Sequence, residues 1–219
     1  MIVTTLRKKT EYSDLGLLHL ICSTPDMPKL YVRNTDRGAL DRMIGEHEEE
    51  LWLDLPCDEE AQEQYYRALK TAMLLSDWAD ELPDARICER YSVGPGDVHG
   101  MVESVNWLLH ASGELSRMFA RSFHPRIREY EICMKNGIRR ELLPLVKLHG
   151  IGRVRARRLF NNGITTPDAV LEAGIGRVTS LIGRGIAEQV FAQLEKGVRP
   201  ASTPSEDNMA GQSTLSRFR

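Results

Sequence analysis

Apolar positions along this chain recur mainly every three or four residues, the spacing that lays them on one face of a helix. Leu15-Gly16-Leu17-Leu18-His19-Leu20-Ile21-Cys22 reads as a short apolar helix. Ser23-Thr24-Pro25-Asp26 ends it, and Leu30-Tyr31-Val32-Arg33 runs extended. Residues 1–10 are expected to have no partner within the chain and to be the end of something larger. Helices are predicted over 36–51, closing in the acidic run Glu46-His47-Glu48-Glu49-Glu50, and over 58–80, with Tyr65, Leu69, Ala72 and Leu75 along one face. Asp58-Glu59-Glu60 at the start of the second places carboxylates at the positive end of a helix dipole, and takes no catalytic role. Trp52 and Trp78 lie among apolar residues at helical spacing and belong to the core.

Gly94-Pro95-Gly96-Asp97 punctuates the chain and launches a long helix to about residue 121. At about 100° per residue, Val98, Met101, Val102, Val105, Leu109 and Ser112 gather on one side. Trp107 falls almost opposite the centre of that side, among Gly100, Glu103, Ala111 and Glu114. Two readings stand: a second layer of helices covers the indole, or an unpaired base stacks on it, an interaction worth about 1–3 kcal/mol per base.

A basic helix over 123–135 ends at Asn136-Gly137. A helix from about residue 138 then leads into Leu148-His149-Gly150-Ile151-Gly152-Arg153, a tight glycine turn, and a second helix follows carrying Arg153, Arg155, Arg157 and Arg158 within two turns. Glycines let a backbone approach a partner closely, and amides at a helix start attract anions. Arginine is planar, always charged and bidentate, which suits phosphate. The stretch therefore reads as a helix-hairpin-helix gripping a nucleic-acid backbone, or else as a structural hairpin whose arginines form a solvated face. Gly163, Thr166-Pro167 and Gly174 separate short helices, and Leu181-Ile182-Gly183-Arg184-Gly185-Ile186-Ala187 repeats a glycine hairpin before a final helix to about residue 196. Residues 200–219 are nearly devoid of apolar content and read as a disordered tail. Within the tail, Gln212, Leu215 and Phe218 have the spacing of one helical turn that plugs a hydrophobic pocket.

Charge sharpens this picture. The net charge of −2 conceals an asymmetry: residues 1–116 hold 11 Lys and Arg against 22 Asp and Glu, and residues 117–199 hold 16 against 7. A basic block of this kind is the electrostatic footprint of a phosphate-binding module. Hydrophobic content of 42% is ordinary for a globular protein. Cys22, Cys57, Cys88 and Cys133 are scattered, which argues against a zinc site or a disulfide framework and for reduced thiols in a cytosolic protein. No apolar run reaches the length of a membrane span. There is no Gly-x-x-x-x-Gly-Lys-Ser/Thr loop, and the Gly-x-Gly pairs at 150/152, 174/176 and 183/185 lack the third glycine of a dinucleotide fingerprint. The six histidines show no metal-ligand spacing, so neither a catalytic nor a metal site is assigned.

Leu17-Leu18-His19-Leu20-Ile21, Thr24-Pro25-Asp26-Met27 and Leu30-Tyr31-Val32-Arg33 together resemble a stretch of the archaeal superfamily-two DNA helicases of the Hjm type, relatives of the helicase HELQ and of the helicase domain of DNA polymerase theta. Pro95-Gly96-Asp97, the helix with Trp107, and Gly150-Ile151-Gly152-Arg153-Val154-Arg155-Ala156-Arg157-Arg158 extend the likeness to about residue 199. The resemblance implies an all-α C-terminal region: the end of a winged-helix region and lead-in over 1–33, a helical-bundle ratchet domain over 34–137, a helix-hairpin-helix domain over 138–199 and a flexible tail from 200. It implies that Trp107 stacks on a base of the translocating strand. Family members often pair that aromatic with an arginine two turns earlier, where this chain has Gly100 with His99 beside it. Arg153, Arg155 and Arg157 match a motif implicated in coupling DNA binding to restraint of the motor. Gln212, Leu215 and Phe218 resemble a sliding-clamp box, with Arg219 where a second aromatic is usual.

The expectation is a single-stranded-DNA-binding region of an ATP-dependent 3′-to-5′ DNA repair helicase acting at stalled replication forks. Trp107, His99, Gly150, Gly152, Arg153, Arg155, Arg157, Arg158 and Arg184 would contact nucleic acid, and the tail a sliding clamp. The chain itself would bind no cofactor and have no ATPase. ATP and Mg²⁺ would belong to motor domains preceding it, and the protein would be monomeric, off the membrane and cytoplasmic, associated with the nucleoid. Two rivals remain. One is a protein-docking module for a nuclease, polymerase or clamp, with incidental basic charge. The other is a helix-hairpin-helix nuclease or glycosylase, which would need a carboxylate or metal constellation near the hairpin, for which Asp168 and Glu172 alone are a poor candidate.

Overall fold

The computed structural model describes residues 1–196, and every regular element in them is helical. The chain divides into two units, residues 1–143 and residues from 144 onward.

In the first unit α1 (Ile2–Lys8) precedes α2 (Asp14–Cys22), which the Ser13 side chain caps by accepting the Gly16 N–H at 2.9 Å. Every residue of α2 from Leu15 to Cys22 is buried, as befits a helix that is apolar all round. Each of Leu17, Leu18, Leu20 and Ile21, with no exposed surface, contributes about 1.5–3 kcal/mol of burial. α3 (Asn34–Glu46) and α4 (Glu59–Ala79) follow, the latter started by Asp58, whose carboxylate accepts the Ala61 N–H at 2.9 Å. The predicted face of α4, Tyr65, Leu69, Ala72 and Leu75, is buried, and α4 lies against α2. α5 (Asp84–Tyr91) leads to α6 (Pro95–Phe119), which begins as the tetrad predicts: Pro95 supplies a fixed φ, and Asp97 Oδ2 accepts the Gly94 N–H at 2.9 Å. α7 (His124–Asn136) packs along α6.

The structure differs from expectation at four places here. Residues 1–10 do have a partner, since α1 buries Leu6 and packs on α6, with the Arg7 guanidinium 4.8 Å from the centre of the Phe119 ring. α3 stops at Glu46, because carboxylates at 48, 49 and 50 would sit at the negative end of the helix dipole, and the acidic run forms a turn instead. α5 was not predicted, being eight residues with two buried, Ile87 and Tyr91. Trp52 is core, but Trp78 is only half-buried, its indole N–H donating to the Met134 carbonyl at 2.9 Å.

In place of a helix from residue 138 there is a 3-10 turn, Arg140–Leu142, and one turn of α8 (Leu143–Val146). Pro144 lacks an amide hydrogen and so fits the first turn of a helix, not the interior of one. The second unit continues with α9 (Arg153–Asn161), α10 (Pro167–Ile182, broken at Gly174) and α11 (Arg184–Glu195). Its core is small: Leu145, Ile151, Leu159, Val170, Val178 and Val190 are among its buried side chains. The tail box, Gln212, Leu215 and Phe218, lies outside the described residues.

Candidate nucleic-acid interface

In the first unit, α6 buries Val98, Met101, Val102, Val105, Leu109 and Ser112 and leaves Trp107 66% exposed. No second layer of this unit covers the indole. Its i−7 neighbour Gly100 has nothing within 4 Å of the point a Cβ would occupy, so the helix surface one side of the ring is bare. His99 is exposed, its Nδ1 2.8 Å from the Pro95 carbonyl and its ring edge-on to Trp78 with centroids 5.7 Å apart. Farther along, Arg128 of α7 is drawn into Glu114 and Glu131 and lies 3.0 Å from His110 Nδ1. Its charge is thereby largely spent on locking α6 to α7. Around Trp107 the surface offers stacking area more than positive charge.

The second unit is built the other way. Gly150 (φ +84°) turns the chain back on itself, in a region that glycine enters without steric cost. Gln193 Oε1 accepts the His149 N–H at 2.9 Å and ties this turn to α11. Gly152 caps α9, and the space where its Cβ would project is empty, so the first amides of the helix face an open approach. Arg155 Nη1 donates to the Gly150 carbonyl at 3.1 Å, and Arg158 Nη1 donates to the Leu181 carbonyl at 2.9 Å, at the lip of the second glycine turn. These bonds fix two guanidiniums beside the helix start, each with further N–H groups in its fork. The result is an open cleft of about 500 Å³ lined by Gly152, Arg153, Val154, Arg155, Arg158 and Ile182. Residues 144–196 carry eight Lys and Arg against four Asp and Glu.

The structure thus brings Gly152, Arg153, Arg155 and Arg158 into one cleft, and Gly150 bears on it through its carbonyl, which accepts from Arg155. It does not bring in the other two arginines. Arg157 does not line the cleft, its guanidinium lying 5.1 Å from the centre of the Phe160 ring. Arg184 pairs with Glu188 at 2.8 Å on an exposed helix start. Sequence reasoning overlooked two residues. Val154, 68% exposed, gives the cleft an apolar lip, and its place between two arginines was the available signal. Arg177 Nη2 donates to the Asn162 carbonyl at 2.8 Å, a non-local bond with no local signature. Among the described residues no group of three or more His, Cys, Asp or Glu is placed to hold a metal ion, and no helix is long and apolar enough to cross a membrane.

Comparison with known proteins places both units. Residues 142–196 match the SAM-like helix-hairpin-helix tandem. The chain is 36% identical to the ATP-dependent DNA helicase Hel308 of Methanocella arvoryzae, over 97% of this chain and 30% of that protein. It is 31% identical to the ATP-dependent DNA helicase Hel308 of Pyrococcus abyssi, over 89% of this chain and 28% of that protein. The chain therefore spans under a third of the length of these relatives. Since the archaeal helicase domain 4 family matches residues 15–137, more than half of the sequence, this chain belongs to that family and carries a helix-hairpin-helix tandem after it.

Proposed function

We propose that this chain is the DNA-binding C-terminal region of an ATP-dependent 3′-to-5′ DNA helicase of the Hel308 kind that works at stalled replication forks. In that reading the first unit is the ratchet, and Trp107 stacks on successive bases of the strand being drawn along α6. The second unit grips the strand backbone, with phosphates seated in the cleft of Gly152, Arg153, Arg155 and Arg158. Arg157 and Arg184 add charge at its margins, and His99 offers a donor beside the bare surface at Gly100. ATP and Mg²⁺ act on motor domains outside this chain, and the tail box meets a sliding clamp.

The observation that carries the reading is Trp107, two-thirds exposed at the middle of a helix whose opposite face is fully buried. A solvated indole at such a site is of no use to the fold of this unit, and stacking on an unpaired base is what its flat π-face does best. The test is the preference of the chain for single-stranded over blunt duplex DNA. Trp107→Ala should abolish most of that preference and Trp107→Phe should keep it. Equal affinity of the unaltered chain for the two DNA forms would contradict the ratchet assignment.

A further inference from the structure

A second solvated aromatic in the first unit stands on a backbone that has no freedom to hide it. Residues 28–33 form an extended strap across α4. Thr71 Oγ1 accepts the Leu30 N–H at 2.9 Å, Arg67 Nε donates to the Leu30 carbonyl at 3.3 Å, and Lys70 Nζ donates to the Tyr31 carbonyl at 2.9 Å. Side chains of an extended segment alternate in direction. Leu30 and Val32 are 6% and 5% exposed, and Tyr31 between them is 70% exposed. The phenol is therefore held outward by two buried neighbours and three hydrogen bonds.

Its surroundings are basic within an otherwise acidic unit. Lys29, Arg33, Arg37, Arg67 and Lys70 share this corner with Asp26, Asp36, Glu63 and Asp41, the last taken up by the Tyr66 hydroxyl. Two more of these carboxylates are engaged already: Asp36 accepts from Lys70 at 2.6 Å and from the Arg33 N–H at 2.8 Å, and Glu63 accepts from Arg37 at 2.7 Å. Arg33 also reaches the Ser92 hydroxyl at 3.2 Å, three residues before Pro95, which sets the strap beside the start of α6. Trp107 lies twelve residues into that helix, roughly 18 Å along its axis at about 1.5 Å per residue.

We infer that Tyr31 is a second base-stacking platform for single-stranded nucleic acid, with Arg33 and Lys29 against the adjoining phosphates. It rests on the reading of the first unit as a strand-binding surface. An aromatic carried on a hydrogen-bonded backbone among cations has only its own side chain left to order on binding, and it fits a polyanion with exposed π-faces better than it fits an apolar protein surface. Two platforms at this separation require a strand of several nucleotides to engage both.

The test is equilibrium binding of the full chain to labelled oligothymidylates of about 4 to 16 nucleotides, the range of single-strand site sizes. For the unaltered chain, affinity should rise with length until both rings are covered. Tyr31→Ala should leave the shortest strand unaffected and weaken the longest about tenfold, whereas Tyr31→Phe should retain the full rise. Arg33→Ala should lower the salt dependence on long strands alone, by roughly 0.7 in log–log slope. Because Tyr31 is exposed, the melting temperature of the alanine variant should match that of the unaltered chain. Equal binding of Tyr31→Ala at every length overturns the inference, and the strap is then a protein-facing surface. If Trp107→Ala weakens binding in the same series, that failure leaves the ratchet reading standing. If Trp107→Ala also binds as the unaltered chain does, both fall together.

Discussion

The two units hold opposite balances of charge and opposite kinds of surface. The first is acidic overall, buries a large apolar core around α2, and shows Trp107 on a helix where nearby arginines such as Arg128 are bound up in ion pairs. The second has a small core and gathers Arg153, Arg155 and Arg158 at a glycine-capped helix start. Stacking is tolerant of sequence and nearly indifferent to salt, whereas phosphate neutralisation weakens steeply as salt rises. A strand tracked by one unit and gripped by the other would thus be held by two forces that respond differently to the same perturbation. That difference is what each experiment below exploits.

The largest expected effect concerns the first unit's core. His19 is fully buried, its ring 4.3 Å from and edge-on to Tyr65, and both its ring nitrogens are without a hydrogen-bond partner among the described residues. Burial pushes its imidazole down to about 4. The unfolded chain takes up this proton near pH 6.5 and the folded unit only near pH 4, so the unfolded state binds more protons in between. Stability is complete above about pH 6.5 and falls as pH drops toward 4, by up to about 3 kcal/mol. All three tryptophans, Trp52, Trp78 and Trp107, lie in the first unit, so their fluorescence follows its unfolding alone. Urea midpoints at pH 7 and pH 5 should show the loss, and His19→Leu should remove most of the pH dependence. A midpoint that does not move with pH would mean that the imidazole is solvated.

Next comes the grip. Replacing Arg153, Arg155 and Arg158 together by alanine should weaken single-strand binding roughly 100-fold at low salt and flatten the log–log salt slope by about 2, the share of three phosphate contacts. Isothermal titration at several salt concentrations measures both, and an unchanged slope would move the phosphates elsewhere. Trp107→Ala should cost about tenfold at every salt concentration, as loss of one stacked base does. The smallest effect is a gain. Gly100→Arg places a cation on the bare surface two turns before Trp107 and should tighten binding a few-fold. It should also raise helix stability by about 1 kcal/mol, glycine being a poor residue in a helix interior.

Legibility of the fold followed locality. The start of α6 is written in Gly94-Pro95-Gly96-Asp97, and the outward aim of Trp107 in the 100° periodicity around it. The cap of α4 at Asp58 and the glycine turn at Gly150 are likewise local devices. The errors came where a neighbour in space decided the outcome. α1 is a helix because Leu6 finds α6, and α5 survives with two buried side chains because α4 and α6 flank it. The lead-in before the hairpin is shorter than the apolar pattern suggests because Pro144, which has no amide hydrogen, sits in the first turn of α8. At the site, residue types were readable and partners were not. Nothing local says that Arg158 reaches Leu181, 23 residues on, whereas the approach of Arg157 to Phe160 is an i,i+3 contact that helical spacing allows. The exposure of Tyr31 was in principle available from the alternation Leu30, Tyr31, Val32.

The most direct test of the two-force account is a salt titration of single-strand binding by the unaltered chain, Trp107→Ala, and the Arg153/Arg155/Arg158 triple alanine variant. The account predicts that Trp107→Ala shifts the whole line to weaker binding with its slope preserved, and that the triple variant flattens the slope. Parallel lines for both variants, or a slope lost with Trp107 and kept without the arginines, would contradict it.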